Sequence, residues 1–338
     1  MRLHIGIIGA GAIGCYVGGR LAASGTADVT LVGRQWLADA IVEHGMTLRE
    51  LDHGEIVAAE DVRFVIDPQE LASCDVVLCC VKSGATEDTA AQLAGVLRPD
   101  AIVVSLQNGL RNAETLRGHL PRNHVVDGIV DFNVIMCDRP VFQRTTSGPL
   151  TLETKGEPKH QHWVNALRTA GFEVVEVDPI GPAQWTKLLI NLNNAINALS
   201  GIPTREMILS GQYRKVIAML LDEGLEVLED AGVRPAKFRG VSLRIMSFIL
   251  KLPTPIVRLV IGAQLRMDPD ARTSMAQDLE RHRLTEVEFL NGEIVTLARA
   301  NSRDAPLNRR IVELVHEAER VGGGSPHLDA KTLLALIR

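Results

Sequence analysis

The stretch Leu3-His4-Ile5-Gly6-Ile7-Ile8-Gly9-Ala10-Gly11-Ala12-Ile13-Gly14 decides the fold. Leu3–Ile8 is a short apolar run of the kind that fills a central parallel strand, buried on both faces. Ala12–Ala23 follows with small residues in a helical pattern, and Gly25 stops it. Asp28–Val32 reads as the next strand, which completes a βαβ unit. A G-x-G-x-x-G says little alone; placed between a strand and a helix, it marks a dinucleotide loop. Gly9 makes the tight turn, Gly11 lets the backbone approach a pyrophosphate, and Gly14 lets the helix pack closely on the strand. The helix start adds free N–H groups and partial positive charge, so Ala10, Ala12 and Ile13 join the three glycines as expected phosphate contacts.

Outward from this unit, strand-like and helix-like segments alternate. Asp75–Val81, Ala101–Leu106, His124–Val130 and Val174–Val177 read as further strands. Such alternation predicts an α/β fold with a mostly parallel, doubly wound sheet of Rossmann type. The pattern changes near Pro179–Pro182. Beyond it Gln184–Leu199, Gln212–Ala231, Ser274–Ala300 and Ala305–Arg320 read as helices. The expected division is residues 1–180 for a dinucleotide-binding domain and 181–338 for an all-α domain carrying the substrate site.

The end of the second strand selects the cofactor. An NAD site usually places Asp or Glu there to bind the ribose 2′-hydroxyl. Here the segment is Leu31-Val32-Gly33-Arg34, with no acid. The planar fork of Arg34 suits a 2′-phosphate, which points to NADPH. Lys82, after Asp75–Val81, and Gln107-Asn108-Gly109, after Ala101–Leu106, end strands of the same sheet. Ligands bind outside the carboxyl ends of such strands. Position alone leaves each open between a ligand contact and a plain loop residue.

The segment Trp185–Asn197 is an apolar helix carrying amides and one lysine. At about 100° per residue, Lys187, Asn191 and Asn194 fall on one face, while Asn193 and Asn197 point elsewhere. Burying such a face is costly unless it meets a partner. A polar ligand and a polar network between helices both meet that need.

With these residues in view, the chain resembles the ketopantoate reductase family over nearly its whole length. The resemblance rests on Gly9–Gly14, Arg34, Lys82, Gln107-Asn108-Gly109 and Lys187-Leu188-x-x-Asn191. Ser274-Met275-x-Gln277-Asp278, Thr285-Glu286 and Asn291-Gly292 complete it. It implies NADPH-dependent reduction of ketopantoate to pantoate, with Lys187 as proton donor. Asn108 would lie beside nicotinamide and substrate, and Asn191 and Ser274 would bind substrate polar groups. Glu286 would contact cofactor or substrate and help hold the lysine. Arg34 and Lys82 would bind the 2′-phosphate. Family members often carry a second substrate asparagine eight residues after the lysine; here that position is Ala195. Asn194, nearer the face of Lys187, is the expected substitute. Reduction of another 2-oxo acid, and a non-catalytic NADPH sensor, are the alternatives.

Composition narrows the rest. The 338 residues carry a net charge of -5, which gives no reason to expect nucleic acid or an anionic membrane as partner. The five cysteines fit neither a disulfide framework nor a zinc site, as expected of reduced thiols in the cytoplasm, and the chemistry needs no metal. No signal-peptide pattern precedes Leu3. Val241–Leu265 is apolar but interrupted by Arg244, Lys251, Arg258, Pro253 and Pro255, so it fails as a membrane span. It reads as buried or interface helix broken at the prolines, which favours a homodimer. His160-Gln161-His162, beside Lys155, Pro158 and Lys159, reads as a polar surface loop. Arg234, Lys237, Arg239, Arg244 and Lys251 read as a solvated basic face, with a lid over an anionic substrate as the alternative.

Overall fold

A computed structural model describes residues 2–50, 54–138, 140–154, 156–262 and 271–338. The chain divides into two compact units, Met1–Ile180 and Gly181–Arg338.

In chain order, the first unit holds β1 (Leu3–Ile8), α1 (Ala12–Ala23), β2 (Ala27–Val32), α2 (Gln35–His44), β3 (Met46–Arg49), β4 (Gly54–Val57), β5 (Arg63–Val65) and β6 (Val76–Cys79). It continues with α3 (Thr86–Ala94), β7 (Ile102–Ser105), α4 (Asn112–His119), β8 (His124–Val130), β9 (Val134–Met136), β10 (Val141–Arg144), β11 (Leu150–Leu152), α5 (Pro158–Thr169) and β12 (Val174–Glu176). Eight strands form one sheet in the order β12-β11-β8-β7-β6-β1-β2-β5. Every neighbouring pair is parallel except β8 with β11. Separate apolar cores cover its two faces. One contains Tyr16, Leu31 and Trp163, the other Val77, Leu93 and Leu116. Cys79 belongs to the second core and Cys80 packs against the first, because successive side chains on a strand face opposite ways. This is the doubly wound α/β arrangement.

A second sheet, β4-β3-β10-β9, was not foreseen. Its strands have at most four residues, too short for a clear alternation to stand out. Another correction concerns His160. It lies on α5, not on a surface loop, and is only 1% exposed. Pro158 opens that helix at its first turn, where a missing N–H costs nothing. His160, Trp163, Val164 and Leu167 then recur at helical spacing and are all buried. His162 stays exposed, and Lys155 lies outside the described residues.

The second unit is helical: α6 (Gly181–Asn191), α7 (Asn193–Ser200), α8 (Thr204–Leu209), α9 (Gly211–Asp230), α10 (Leu243–Leu250), α11 (Thr254–Ile261), α12 (Ser274–Glu280), α13 (Asn291–Ala300), α14 (Pro306–Val321) and α15 (Ala330–Leu336). Two long helices expected from periodicity are each broken. Gln184–Leu199 divides at Leu192 into α6 and α7. The Asn193 side-chain amide donates to the Ile190 carbonyl there, taking up an acceptor at the break. Ser274–Ala300 divides into α12, a 3₁₀ turn at Val287–Phe289, and α13. His282, at φ 52°, turns the chain out of the helix.

The apolar stretch beginning at Val241 forms α10 and α11, interrupted before Pro253, whose ring cannot continue a helix. It is not buried throughout: Phe248 is 63% and Leu259 86% exposed. Ala263, Gln264 and Leu265 lie outside the described residues. Among the described residues, no helix is long and apolar enough to cross a membrane. Arg234, Lys237, Arg239, Arg244 and Lys251 are exposed.

Candidate active site

In the first unit, the glycine loop leaves β1 and enters α1. Gly9 has φ 93°, a backbone conformation that side chains rarely adopt. The amides of Gly9 and Ala10 both donate to the Val32 carbonyl, at 3.2 and 3.0 Å, which ties the loop to the end of β2. Gly11 is the N-cap of α1 and has no side chain to cap it. The first helical bond runs from the Cys15 amide to the Gly11 carbonyl at 2.9 Å. The amides of Ala12, Ile13 and Gly14 therefore have no partner within the helix, and the dipole leaves positive charge at this end. A Cβ added to Gly11 would meet no heavy atom within 4 Å, whereas one added to Gly14 would lie 2.4 Å from the Gly9 carbonyl oxygen.

The other expected cofactor residues follow neighbouring parallel strands. Ile8 is level with Val32 and with Cys79, and Cys79 with Ser105. Arg34, Lys82 and Asn108 thus leave the same edge of the sheet as the glycine loop. The chain runs from β1 to β2 on one side, while β6 adjoins β1 on the other. The glycine loop therefore sits where the strand order reverses, the usual place for a ligand in such sheets. Arg34 is the N-cap of α2 and exposed, and its side chain makes no hydrogen bond or ion pair among the described residues. Lys82 is exposed beside a 3₁₀ turn, and Asn108 is half-buried.

In the second unit, Lys187 and Asn191 lie on α6 and Asn194 on α7. All three are half-buried, while Ala195 is completely buried. Thr186, next to the lysine, donates to the Pro182 carbonyl at 3.0 Å and the Ala236 carbonyl at 2.8 Å, so this turn is anchored on two sides. Ser274 is exposed as the first residue of α12.

Two residues not expected at the site, Asn197 and Thr273, bring Ser274 to α7. Asn197, fully buried, accepts from the Thr273 amide at 2.9 Å and the Thr273 hydroxyl at 3.1 Å. The same threonine caps α12 through the Ala276 amide and reaches the Asn194 carbonyl at 3.4 Å. A buried amide in an otherwise apolar helix was the available signal for Asn197, and a threonine just before a helix was the signal for Thr273. Glu286 is half-buried, at the start of the Val287–Phe289 turn. Its neighbour Thr285 donates its amide to Glu319 on α14 at 2.7 Å.

Four of the cysteines, Cys15, Cys74, Cys79 and Cys80, are held as protonated thiols by burial. None of the five is in a disulfide, and burial pushes Cys74 and Cys79 up to about 12. Such thiols stay protonated and unreactive.

Each unit also matches known proteins. Residues 5–156 match the family "Ketopantoate reductase PanE/ApbA", and residues 180–319 match "Ketopantoate reductase PanE/ApbA C terminal". The 2-dehydropantoate 2-reductase of Pyrococcus horikoshii is 30% identical over 328 residues, spanning 96% of this chain and 100% of the relative. A crystal structure of a PanE/ApbA family ketopantoate reductase from Ralstonia eutropha is 30% identical, with a TM-score of 0.80 over 95% of this chain and 99% of its own. D-mandelate dehydrogenase, solved with NADH and anilino(oxo)acetate, shares the fold at 20% identity and a TM-score of 0.78, over 95% of this chain and 99% of its own. A glycine loop at the sheet's switch point, a lysine-and-amide helix and matches across both units lead to one assignment: the chain belongs to the ketopantoate reductase family of oxidoreductases.

Proposed function

We propose that the protein reduces ketopantoate to pantoate with NADPH, the reduction that supplies pantoate for pantothenate synthesis. The observation that carries this reading is the polar group on the second unit: Lys187 and Asn191 on α6, with Ser274 tied to the Asn194 turn through Asn197 and Thr273. A half-buried ammonium among amides and a hydroxyl suits a small, charged oxo acid.

The cofactor fits the residues present. The space open at Gly11 accepts a pyrophosphate at backbone distance, and the uncapped amides of Ala12, Ile13 and Gly14 would hold it. Arg34 and Lys82 would pair with the 2′-phosphate, and Asn108 would hydrogen-bond beside the nicotinamide. When bound, the nicotinamide supplies a hydride to the ketone carbon. The Lys187 ammonium stabilises the charge that develops on the ketone oxygen and then donates a proton to it. Asn191, Asn194 and Ser274 orient the substrate's carboxylate and hydroxyl. Glu286 keeps the lysine charged where water is scarce. Residues 1–180 thus serve the cofactor and 181–338 the substrate.

A second reading, reduction of a different 2-oxo acid, is favoured by Ala195. It is wholly buried where many family members have a substrate asparagine. The fold-mate D-mandelate dehydrogenase illustrates that range and also the use of NADH. A panel of 2-oxo acids, including one bearing a phenyl ring, assayed with NADPH and with NADH, tests both substrate and cofactor. The highest kcat/KM with ketopantoate and NADPH supports the proposal. A higher value with another acid or with NADH overturns that part of it. NADPH binding without reduction of any acid would favour the sensor. The exposed apolar side chains of α10 and α11 would form a homodimer contact.

A further inference from the structure

We propose that Thr86 and Asn112, which touch neither reactant, are positioning residues that set dinucleotide affinity by locking together the loops carrying Lys82 and Asn108. This rests on the cofactor reading above.

The observation is a directed chain of buried and half-buried hydrogen bonds at the ends of β6 and β7. The Gln107 amide donates to the Thr86 hydroxyl at 2.7 Å and to the Val81 carbonyl at 3.1 Å, and its oxygen accepts from Ser105 at 3.1 Å. The Thr86 hydroxyl passes its own proton to the Asn112 amide oxygen at 2.8 Å. The Asn112 amide nitrogen donates to the Ser83 hydroxyl at 3.2 Å and to the Asn108 carbonyl at 2.5 Å. Ser83 closes the chain by donating to the same Asn108 carbonyl at 2.8 Å.

The Thr86 and Ser83 hydroxyls both accept and donate, and the Gln107 and Asn112 amides each have oxygen and nitrogen engaged. Such an order admits one orientation of both amides, since reversing Asn112 would set two carbonyl oxygens against each other. Thr86 and Asn112 are 2% and 6% exposed, so water does not replace a lost partner there. The bonds cross between two loops. Val81, Ser83 and Thr86 lie in and just after the β6 loop, and Asn108 and Asn112 lie around the β7 turn. Lys82 is flanked by Val81 and Ser83, both held, and the backbone of Asn108 is held by two donors at once. Gly109 follows at φ 94°, so the turn depends on that held carbonyl for its path. Helix propensity does not require an asparagine as the first residue of α4; its role here is to join the two loops.

Thr86→Val and Thr86→Ser make the test, since valine keeps the shape and loses the hydroxyl while serine keeps it. The Kd for NADPH is measured on folded protein by fluorescence titration, and amide hydrogen exchange is followed in residues 82–84 and 108–110. Thr86→Val is expected to raise the Kd about tenfold and speed exchange in both loops, with Thr86→Ser close to wild type. Ser83→Ala, which removes one hydroxyl at the other end of the chain, carries the expectation if Thr86→Val fails to fold. A lowered melting temperature with unchanged Kd and unchanged loop exchange overturns the proposal, because that is what a purely structural threonine would give. If the wild type binds neither NADPH nor NADH, the cofactor reading fails and takes the claim on affinity with it. The exchange data then still decide whether the network holds the two loops.

Discussion

Gly11→Ala separates binding from folding, because the structure leaves room for a methyl group that the ligand does not. The added carbon meets no heavy atom within 4 Å, and φ at this residue is -93°, ordinary for alanine. The fold therefore loses only the difference between glycine and alanine as N-cap, about 1 kcal/mol at most. For a domain of this size that is about 2–4 °C in Tm. The dinucleotide loses more. A methyl group between backbone and pyrophosphate weakens charge-assisted hydrogen bonds worth about 1.5–3 kcal/mol, or roughly 10- to 100-fold in Kd. Gly9→Ala is the control. Its Cβ would lie 2.5 Å from the Val81 nitrogen and 2.7 Å from the Cys80 carbonyl carbon, at φ 93°. Strain of about 1–3 kcal/mol, with a backbone clash added, should unfold this variant well below Gly11→Ala. Thermal melts and NADPH titrations on both proteins decide the matter. Equal losses of Tm, or an unchanged Kd in Gly11→Ala, would refute the reasoning.

Further tests address the outer parts of the site and the fold. Arg34→Ala should raise KM for NADPH about tenfold or more and leave KM for NADH nearly unchanged, since the side chain has no partner among the described residues to lose. Equal effects on the two cofactors would remove Arg34 from the 2′-phosphate. The His124 and His160 rings lie tilted with centroids 4.9 Å apart, and the Trp163 indole donates to the His160 Nδ1 at 3.3 Å. Burial lowers the pKa of both, the neighbouring His124 lowers that of His160 further, and Lys159 adds to this beside each ring, with Arg117 also acting on His124; Glu157 opposes it at both and Glu176 at His160. With the folded values below the ordinary 6.5, the unfolded chain takes up protons first. Stability is then full above about pH 6.5 and falls as the pH drops towards the folded values. Tm measured against pH should show this decline, and His160→Gln should flatten it; a parallel curve would exclude the histidine. Phe248→Asp with Leu259→Asp should lower the solution mass to that of a single chain if α10 and α11 form the dimer contact, and a wild type that is already monomeric contradicts that contact.

The sequence was most legible where one physical requirement acts locally. Leu3–Gly14 joins an apolar strand to a glycine turn, and both α1 and β8 run between the residues expected for them. Legibility fell where partners are distant in sequence. β3 pairs with β10 through Thr47 and Val141, and neither strand reveals that partner on its own. The breaks at Leu192 and after Glu280 lie in runs that suit a helix locally, and tertiary bonds such as Thr285 to Glu319 act around the second break. His160 could have been read better, since the His160–Trp163–Leu167 spacing is helical and follows a proline suited to a helix start. In the site, the charged residues stood out as types. Asn197, Thr273, Thr86 and Asn112 did not, because their role is set by which carbonyls and amides they meet.

In the proposed mechanism, Lys187 protonates a ketone as NADPH is consumed. The direct measurement is the loss of NADPH absorbance with ketopantoate for wild type and Lys187→Ala, with NADPH binding measured on the same preparations. The wild type is expected to turn over, the variant to lose at least about 100-fold in kcat, and NADPH affinity to stay close to wild type. Undiminished turnover by a folded Lys187→Ala protein would contradict that mechanism.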